Sequence, residues 1–249
     1  MAGAVGAAAF LAAAAWAAPA NAIIGGTDAT EEYPFMVSLS DDKGVHYCGG
    51  ALIDKEWLVT AGHCTAGDAE QITARVGSAD NTSGGSERGI AQIVTHPDYT
   101  ADPENLRSDI ALIRLDAPVE ERPIGIAAES GAPGSTARIM GWGMTCEDGS
   151  ECPNPPQILQ ELDTEIAADD RCTGIDGAGD ICSEHPTREA QSCSNDSGGP
   201  MVQGGPGRWE LVGATSRDGD AETDPSCVGP GVWTDVPAHA DWIRATVGA

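Results

Sequence analysis

Basic side chains are scarce in this chain of 249 residues. Lysine and arginine together number 13 against 39 aspartates and glutamates, so the formal net charge is −26, and Lys43 and Lys55 are the two lysines. Binding to phosphates needs clusters of basic residues, which argues against a nucleic-acid partner. The acidic charge keeps a protein soluble and attracts cations. Adaptation to a harsh or salty exterior explains it more simply than steering of substrates does.

Closely spaced cysteine pairs of the Cys-x-x-Cys kind are also missing, although the chain has 8 cysteines. An even number of cysteines in an exported chain indicates disulfide bonds and an oxidising compartment. Zinc sites typically bring ligands together at short spacings that this chain lacks. We therefore expect four disulfides and no metal.

Beyond residue 22 the sequence has no apolar run long enough to span a bilayer. Residues 1–22 are apolar, alanine-rich and uncharged, and they end in Ala20-Asn21-Ala22. That ending fits the small-x-small site of a signal peptidase, which predicts a signal peptide over 1–22 and a secreted protein without a membrane anchor. The usual basic start is missing, which suggests a start codon further upstream.

From Ile23 onward the pattern is typical of β-structure. Short runs alternate apolar and polar residues at 35–39, 71–76, 88–94, 136–140, 208–214 and 231–234, and turns rich in Gly, Asp, Asn and Pro separate them. This texture predicts antiparallel sheets that form sandwiches or barrels. Residues 116–123, with two prolines, are expected to be a connector, and residues 237–247 a short helix.

The stretch 192–200, Ser-Cys-Ser-Asn-Asp-Ser-Gly-Gly-Pro, carries the chemistry. Ser197 lies between an aspartate and two glycines, which favours an exposed nucleophile on a tight turn. A surface loop rich in Gly, Ser and Asp is the plain alternative for this fragment alone. Serine is a weak nucleophile and needs a base and a group that orients the base. His63 in Thr-Ala-Gly-His-Cys and Asp109 at the head of an alternating run are the candidates.

These three stretches resemble the TAAHC, DIALL and GDSGGP motifs of the trypsin and chymotrypsin family of serine endopeptidases, in the same order. The resemblance covers nearly all of residues 23–249. It implies an all-β fold of two antiparallel six-stranded barrels, with the active site between them and a short C-terminal helix. The N-terminal barrel would span about 23–117, the connector 116–123, and the second barrel with its helix 124–249. The implied protein is a secreted monomer that cleaves proteins or peptides without a cofactor and binds proteinaceous inhibitors.

The resemblance also implies roles for individual residues. Ser197 would attack the peptide carbonyl, His63 would move the proton, and Asp109 would hold the imidazole. The backbone amides of Asn195 and Ser197 would form the oxyanion hole. The family usually has glycine in place of Asn195, but asparagine tolerates left-handed backbone better than most residues. We expect activity, with less sensitivity to rigid protein inhibitors.

The substrate pocket departs from that of trypsin. Gln191 corresponds to the base of the pocket, where trypsin has aspartate, so strict trypsin specificity is not implied. The remaining predicted pocket residues are Ser216, Asp218 and Gly231, and the acids Asp220, Glu222 and Asp224 follow in a loop that is longer than usual. We expect tolerance of Arg or Lys before the scissile bond and rejection of acidic side chains, while a solvated acidic loop is the alternative for Asp218.

The N-terminal tetrapeptide at 23–26, Ile-Ile-Gly-Gly, resembles the N-terminus that activates these enzymes, with Asp196 as the acceptor of its ammonium group. The family pattern pairs Cys48 with Cys64, Cys172 with Cys182 and Cys193 with Cys227, which leaves Cys146 and Cys152 for each other. The calcium loop of some family members corresponds to residues 78–85, which hold a single acid. Calcium needs several oxygen ligands, so none is expected.

Two other functions compete with a peptidase. A catalytically silent relative that acts as a secreted binding protein would usually lack a triad residue, whereas this chain keeps all three. An α/β-hydrolase would need Gly-x-Ser-x-Gly and the order Ser, Asp, His. Neither condition is met by the sequence.

Overall fold

The structure is a computed structural model that describes residues 23–102, 106–145, 155–220 and 227–248. Antiparallel β-strands dominate these ranges. The first strand, β1 (Thr27–Asp28), leaves the N-terminal segment to pair with a strand of the second half of the chain.

Six strands of the first half form a closed antiparallel barrel. They are β2 (Met36–Ser40), β3 (His46–Leu52), β4 (Trp57–Thr60), β5 (Thr73–Val76), β6 (Ser86–Thr95) and β7 (Ala111–Leu115). The ring runs β2-β3-β4-β7-β6-β5 and closes where β5 pairs with β2. Strand β5 shows how the sequence builds the wall, because alternate side chains face opposite sides of a strand. Its Ala74 and Val76 are buried, whereas Thr73 and Arg75 are half-buried.

The second half of the chain forms another six-stranded antiparallel ring. Its strands are β9 (Thr136–Gly141), β10 (Gln160–Ile166), β11 (Asp180–Glu184), β12 (Pro200–Gln203), β13 (Glu210–Asp218) and β14 (Gly231–Asp235), and the short strand β8 (Gly125–Ile126) lies outside the ring. The ring runs β9-β10-β11-β14-β13-β12 and closes where β12 pairs with β9. Strand β1 is added to β10, and β8 runs parallel to β13.

Short helical elements complete the fold. Single 3₁₀ turns cover Gly62–Thr65, Ala69–Gln71, Asp169–Arg171 and Pro237–His239, and the last leads into helix α1 (Ala240–Val247). The helix stops at Gly248, whose φ of 80° is the left-handed conformation in which helices commonly end. Ile243 of α1 is buried in an apolar cluster that contains residues of both barrels. The described residues include no helix long and apolar enough to cross a membrane.

The predicted fold class is confirmed, and the differences lie at strand ends. Gln71, expected in a strand, belongs to a 3₁₀ turn, and the strand begins at Thr73. Strand β13 begins at Glu210 and continues to Asp218, four residues beyond the alternating run. It continues because Arg217 and Asp218 pair with Val232 and Gly231 of β14. Pairing with a neighbour decides where this strand ends, and the periodicity of one segment does not contain that information.

Candidate active site

Ser197 lies on a tight turn where the two barrels meet. Its carbonyl accepts a hydrogen bond of 2.7 Å from the N–H of Gly49 in β3, and the next N–H, of Gly198, donates to Thr215 of β13 at 2.8 Å. Gly198 has a φ of 75°. A Cβ atom at this position would lie 2.6 Å from the carbonyl oxygen of Gly49 and would also collide with the Thr60 hydroxyl. The turn therefore requires glycine directly after the serine, as the motif has it.

His63 is fixed by the buried carboxylate of Asp109, which lies just before β7 of the same barrel. The Nδ1 atom of His63 lies 2.8 Å from Oδ2 of Asp109, and the His63 N–H donates to Oδ1 at 2.9 Å. The Ser216 hydroxyl donates to Oδ2 at 2.7 Å. Burial by itself would raise the pKa of Asp109, but the hydrogen bonds from His63 and Ser216 bring that pKa below its usual value.

The tautomer of His63 follows from this arrangement. An ionised carboxylate accepts hydrogen bonds only, so Nδ1 of His63 must carry the ring proton of the neutral imidazole. The other ring nitrogen, Nε2, is then left as a base. The side chain of His63 is 34% exposed, whereas that of Asp109 is 1% exposed. The solvent-accessible part of the pair is therefore a neutral base held in one orientation.

The backbone before Ser197 presents two N–H groups. Asn195 has a φ of 75°, the left-handed conformation that the sequence led us to expect of it. Among the described residues, the N–H groups of Asn195 and Ser197 have no protein acceptor. Such unused donors next to a nucleophile are suited to an oxygen that gains negative charge.

The His46 side chain forms a hydrogen bond with the Asn195 carbonyl, a contact that sequence reasoning missed. Its Nε2 atom lies 3.1 Å from the Asn195 carbonyl and its Nδ1 atom 2.8 Å from the Ser38 hydroxyl. A carbonyl only accepts, so Nε2 donates to it and Nδ1 accepts from Ser38. Burial lowers the pKa of His46 to about 4, which keeps the ring neutral near neutral pH. A lone histidine without a motif gave no signal for this role.

A cavity of about 190 Å³ opens beside Ser197. The side chain of Gln191 is buried at its wall and donates from Nε2 to the Val228 carbonyl at 2.8 Å. A Cβ atom on Gly231 would lie 2.6 Å from Oε1 of Gln191, so glycine is required opposite the amide. Ser216 and Asp218 also line the cavity.

The carboxylate of Asp218 is held by backbone N–H groups. Its Oδ1 atom accepts from Asp220 at 3.0 Å and its Oδ2 atom from Cys227 at 2.9 Å. Asp218 is thus a structured wall residue of the cavity. The acids Glu222 and Asp224 of the same predicted rim lie outside the described residues.

Arg217 lines the cavity and forms an ion pair that the sequence did not reveal. It occupies the wall between Ser216 and Asp218, and its Nη2 atom lies 2.7 Å from Oδ2 of Asp180. Its position in the motif indicated the pocket wall, but its partner Asp180 lies 37 positions earlier in the sequence.

Asp196 is buried next to Ser197. Its carboxylate accepts N–H bonds from Gly143 at 2.7 Å and Cys193 at 2.9 Å. Burial raises the pKa of Asp196 to about 7, although these two bonds oppose the rise. Ile23 is fully buried as well, and the N–H of Ile24 donates to the Gln191 carbonyl at 2.9 Å. The start of the domain is therefore packed against the base of the pocket.

The structure contains three of the expected disulfides: Cys48–Cys64, Cys172–Cys182 and Cys193–Cys227. The first ties the turn of His63 to β3, and the last braces the cavity wall. Cys146 and Cys152 lie outside the described residues. His63 and the sulfurs of Cys48 and Cys64 form a group with metal-like spacing, but both sulfurs are used in the disulfide and offer no thiolate ligand.

Comparison with known proteins gives consistent matches over this whole region. The family model described as Trypsin matches residues 23–243. The chain is 32% identical to trypsin of Saccharopolyspora erythraea, covering 91% of this chain and 99% of that protein. It is 35% identical to anionic trypsin of Canis lupus familiaris, covering 91% of this chain and 90% of that protein.

Among solved structures, neuropsin, a serine protease expressed in the limbic system of mouse brain, superposes with a TM-score of 0.74. The two are 28% identical, and the match covers 86% of this chain and 94% of neuropsin. A fold of this kind, in a chain with these relatives, defines a serine endopeptidase. The chain belongs to the trypsin family.

Proposed function

We propose that the protein is a secreted, monomeric serine endopeptidase in which Ser197 is the nucleophile, His63 the general base and Asp109 the residue that orients the base. The observation that carries this proposal is the pair of hydrogen bonds from His63 to the buried Asp109. They hold the imidazole in the tautomer that leaves Nε2 free to take a proton. Family membership supports the assignment independently.

The reaction follows from these roles. Oγ of Ser197 bonds to the peptide carbonyl carbon while its proton passes to Nε2 of His63. The tetrahedral adduct then breaks its C–N bond, and His63 gives the proton to the leaving amine, which leaves an acyl-enzyme. A water molecule repeats the two steps on the ester and regenerates Ser197. Throughout, Asp109 stays ionised and stabilises the imidazolium.

The N–H groups of Asn195 and Ser197 serve as the oxyanion hole in this proposal. Each preorganised donor of this kind typically contributes about 2.7–4 kcal/mol to catalysis. The donor at Asn195 is its backbone N–H, which glycine would also supply, so the asparagine side chain leaves the chemistry of the oxyanion hole unchanged. The side chain instead crowds the space beside the leaving group and weakens the docking of rigid protein inhibitors.

The cavity lined by Gln191, Ser216 and Asp218, with Gly231 packed against the Gln191 amide, receives the side chain before the scissile bond. Gln191 is neutral, and an unpaired cation against it would be costly. The nearby carboxylate of Asp218 offsets part of that cost, so Arg and Lys are tolerated and acidic side chains are rejected. Profiling on a peptide library tests this, and cleavage mainly after Asp or Glu would contradict it.

Activation in this proposal depends on cleavage before Ile23. The new ammonium group pairs with Asp196, whose buried carboxylate otherwise has only backbone donors among the described residues. The predicted signal-peptidase site ends at Ala22, so export itself would create the active N-terminus. N-terminal sequencing of secreted protein decides this. An active protein that begins at Ile23 supports it, and an inactive form with residues before Ile23 contradicts it.

A fluorophosphonate probe separates the proposed enzyme from a silent binding protein. The probe should label Ser197, identified by mass spectrometry of the modified peptide. His63→Ala should slow the labelling strongly, and urea-unfolded protein should not react. A folded, secreted protein that fails to react would favour the binding-protein alternative.

A further inference from the structure

The wall of the substrate cavity contains a cation, which is unexpected in a chain with a net charge of −26. Arg217 lines the cavity together with Ser197. Its guanidinium group is fixed at three points: Nη2 lies 2.7 Å from Oδ2 of Asp180 and 2.8 Å from the Gly174 carbonyl, and Nη1 lies 3.4 Å from the Ser216 hydroxyl. A cation held this firmly loses little conformational entropy when it binds a further partner.

In the ion pair of Arg217 and Asp180, the guanidinium is the more exposed group. The side chain of Asp180 is 1% exposed and that of Arg217 is 18% exposed. A ligand beside this ion pair therefore approaches the guanidinium more closely than the buried carboxylate, and Coulomb energy falls with distance. The neighbouring acid, Asp218, has N–H donors from Asp220 and Cys227 on its two oxygens, which reduces its repulsion of a second anion.

A second arginine approaches the loop between the disulfide-bonded Cys172 and Cys182, which contains the Arg217 partners Gly174 and Asp180. Nη1 of Arg107 lies 4.0 Å from Oδ2 of Asp176, and the Asp176 N–H donates to Asp180 at 3.0 Å. Arg107 and Arg217 thus both approach the loop closed by Cys172 and Cys182, and each faces an aspartate of that loop.

We propose that Arg217 forms a substrate subsite that selects an acidic side chain two to four residues before the scissile bond. The inference rests on the proposed function, because the scissile bond is placed by Ser197. Arg217 lies near the end of the extended strand β13, and an extended peptide readily lies along such an edge. A Glu side chain on that peptide meets the guanidinium, whereas the residue before the scissile bond enters the cavity.

Binding of peptides to the secreted protein carrying Ser197→Ala tests the subsite without relying on catalysis. The peptides, which this variant cannot cleave, all have the same favourable residue directly before the scissile bond. Glu is compared with Gln at each of the three positions that precede that residue, one position at a time. We expect Glu to bind about three- to tenfold more tightly than Gln at one position, the range of a partly exposed ion pair. The preference should shrink toward one in 1 M NaCl, since salt screens exposed charges.

Three further substitutions, each combined with Ser197→Ala, separate the charge of Arg217 from a structural role. Arg217→Gln should bring the Glu-to-Gln affinity ratio to about one, and Arg217→Lys should keep part of it. Asp180→Asn keeps an oxygen for the Arg217 hydrogen bond but removes the opposing charge, so it should increase the ratio. Arg171→Gln is the control: the exposed Arg171 pairs with the half-buried Glu184 beside the same loop and does not line the cavity.

The possible results are distinct. The proposal is overturned if the wild-type pocket, in the Ser197→Ala protein, has no Glu preference, if Arg217→Gln leaves the ratio unchanged, or if Arg171→Gln lowers it equally. Fluorophosphonate labelling of protein with Ser197 intact reports separately on catalysis. A Glu preference without labelling would support the subsite and contradict the proposed enzyme, and labelling without the preference would do the reverse.

Discussion

In the proposed mechanism Ser197 and His63 handle the same proton, so the losses caused by removing them should not add. We expect Ser197→Ala and His63→Ala each to lower kcat by a factor of about 10⁴–10⁶, and the double substitution to lower it little further. The measurement is kcat on one peptide substrate, with active-site titration of each preparation. Additive losses would mean that the two residues do not act as one catalytic unit.

Asn195 combines a left-handed backbone with a side chain where the family usually has none. Asn195→Gly relieves the backbone at a φ of 75° and clears the space beside the leaving group. We expect affinity for a Kunitz-type inhibitor to rise by about tenfold, a change of about 1.4 kcal/mol. Inhibition constants of the two proteins provide the measurement. Equal constants would show that the Asn195 side chain does not obstruct the inhibitor.

Among elements, the turn that carries Asp196 depends on the N-terminal segment. Before cleavage, burial raises the pKa of Asp196 to about 7, so stability is lost as pH rises from the ordinary carboxyl value through that pKa. In the proposed activation the Ile23 ammonium pairs with Asp196 after cleavage, which would raise the ammonium pKa above about 7.7–8.0. That stabilisation is present below the reference value and is lost as pH rises through the folded pKa.

The cleaved protein should therefore melt at a higher temperature than the uncleaved one near pH 7.5, and this advantage should decline in strong alkali. Since 1 kcal/mol shifts Tm by about 2–4 °C in a chain of this size, several degrees are expected. Melting curves of both forms from pH 5 to pH 10 measure the effect. Acetylation of the Ile23 amine should abolish the difference in Tm between the two forms. Identical melting curves of the cleaved and uncleaved proteins would argue against the ion pair.

The contact of helix α1 with the first barrel contains two histidine rings. The ring of His96, just after β6, lies 4.8 Å from that of His239 and 4.7 Å from that of Trp242, measured between centroids. Burial and the charge of His96 lower the pKa of His239 to about 4, although Asp176 and Asp98 oppose this. Burial likewise lowers the pKa of His96. This contact favours neutral rings.

Stability from this contact is complete above the unfolded histidine pKa of about 6.5 and is lost as pH falls through the lower folded pKa values. His239→Gln should consequently lose fewer degrees of Tm than the wild type between pH 7 and pH 4. His185→Gln, at a half-buried histidine away from this contact, is the control and should change this difference less. If both variants lose as much as the wild type, acid sensitivity arises elsewhere.

At the scale of the whole molecule, a net charge of −26 repels itself in the compact state. The Debye length falls from about 30 Å at 0.01 M salt to about 3 Å at 1 M, so we expect Tm at pH 8 to rise by several degrees over that range. Sucrose at equal osmolality controls for exclusion of solutes from the surface. A Tm that falls with salt would mean that attractive ion pairs outweigh the repulsion.

The sequence by itself determined the fold class and the local chemistry. Catalysis requires particular residue types at fixed short spacings, and the Gly198 position accepts glycine alone, so the stretches around Ser197, His63 and Asp109 are informative without coordinates. Alternating apolar residues likewise indicated most strands, because one face of each strand packs into a barrel. Both signals depend on residues that are close together in the chain, so they can be read from the sequence without coordinates.

The tertiary structure alone decided the contacts that surround this chemistry. His46 reaches the Asn195 peptide across 149 positions, Ser216 reaches Asp109 across 107, and Arg217 reaches Asp180 across 37. Each contact depends on how two rings of strands close and on the register in which β13 meets β14. A shift of register by one residue would turn these side chains to the opposite face. Their partners are therefore set by barrel closure, which no single stretch of the sequence encodes.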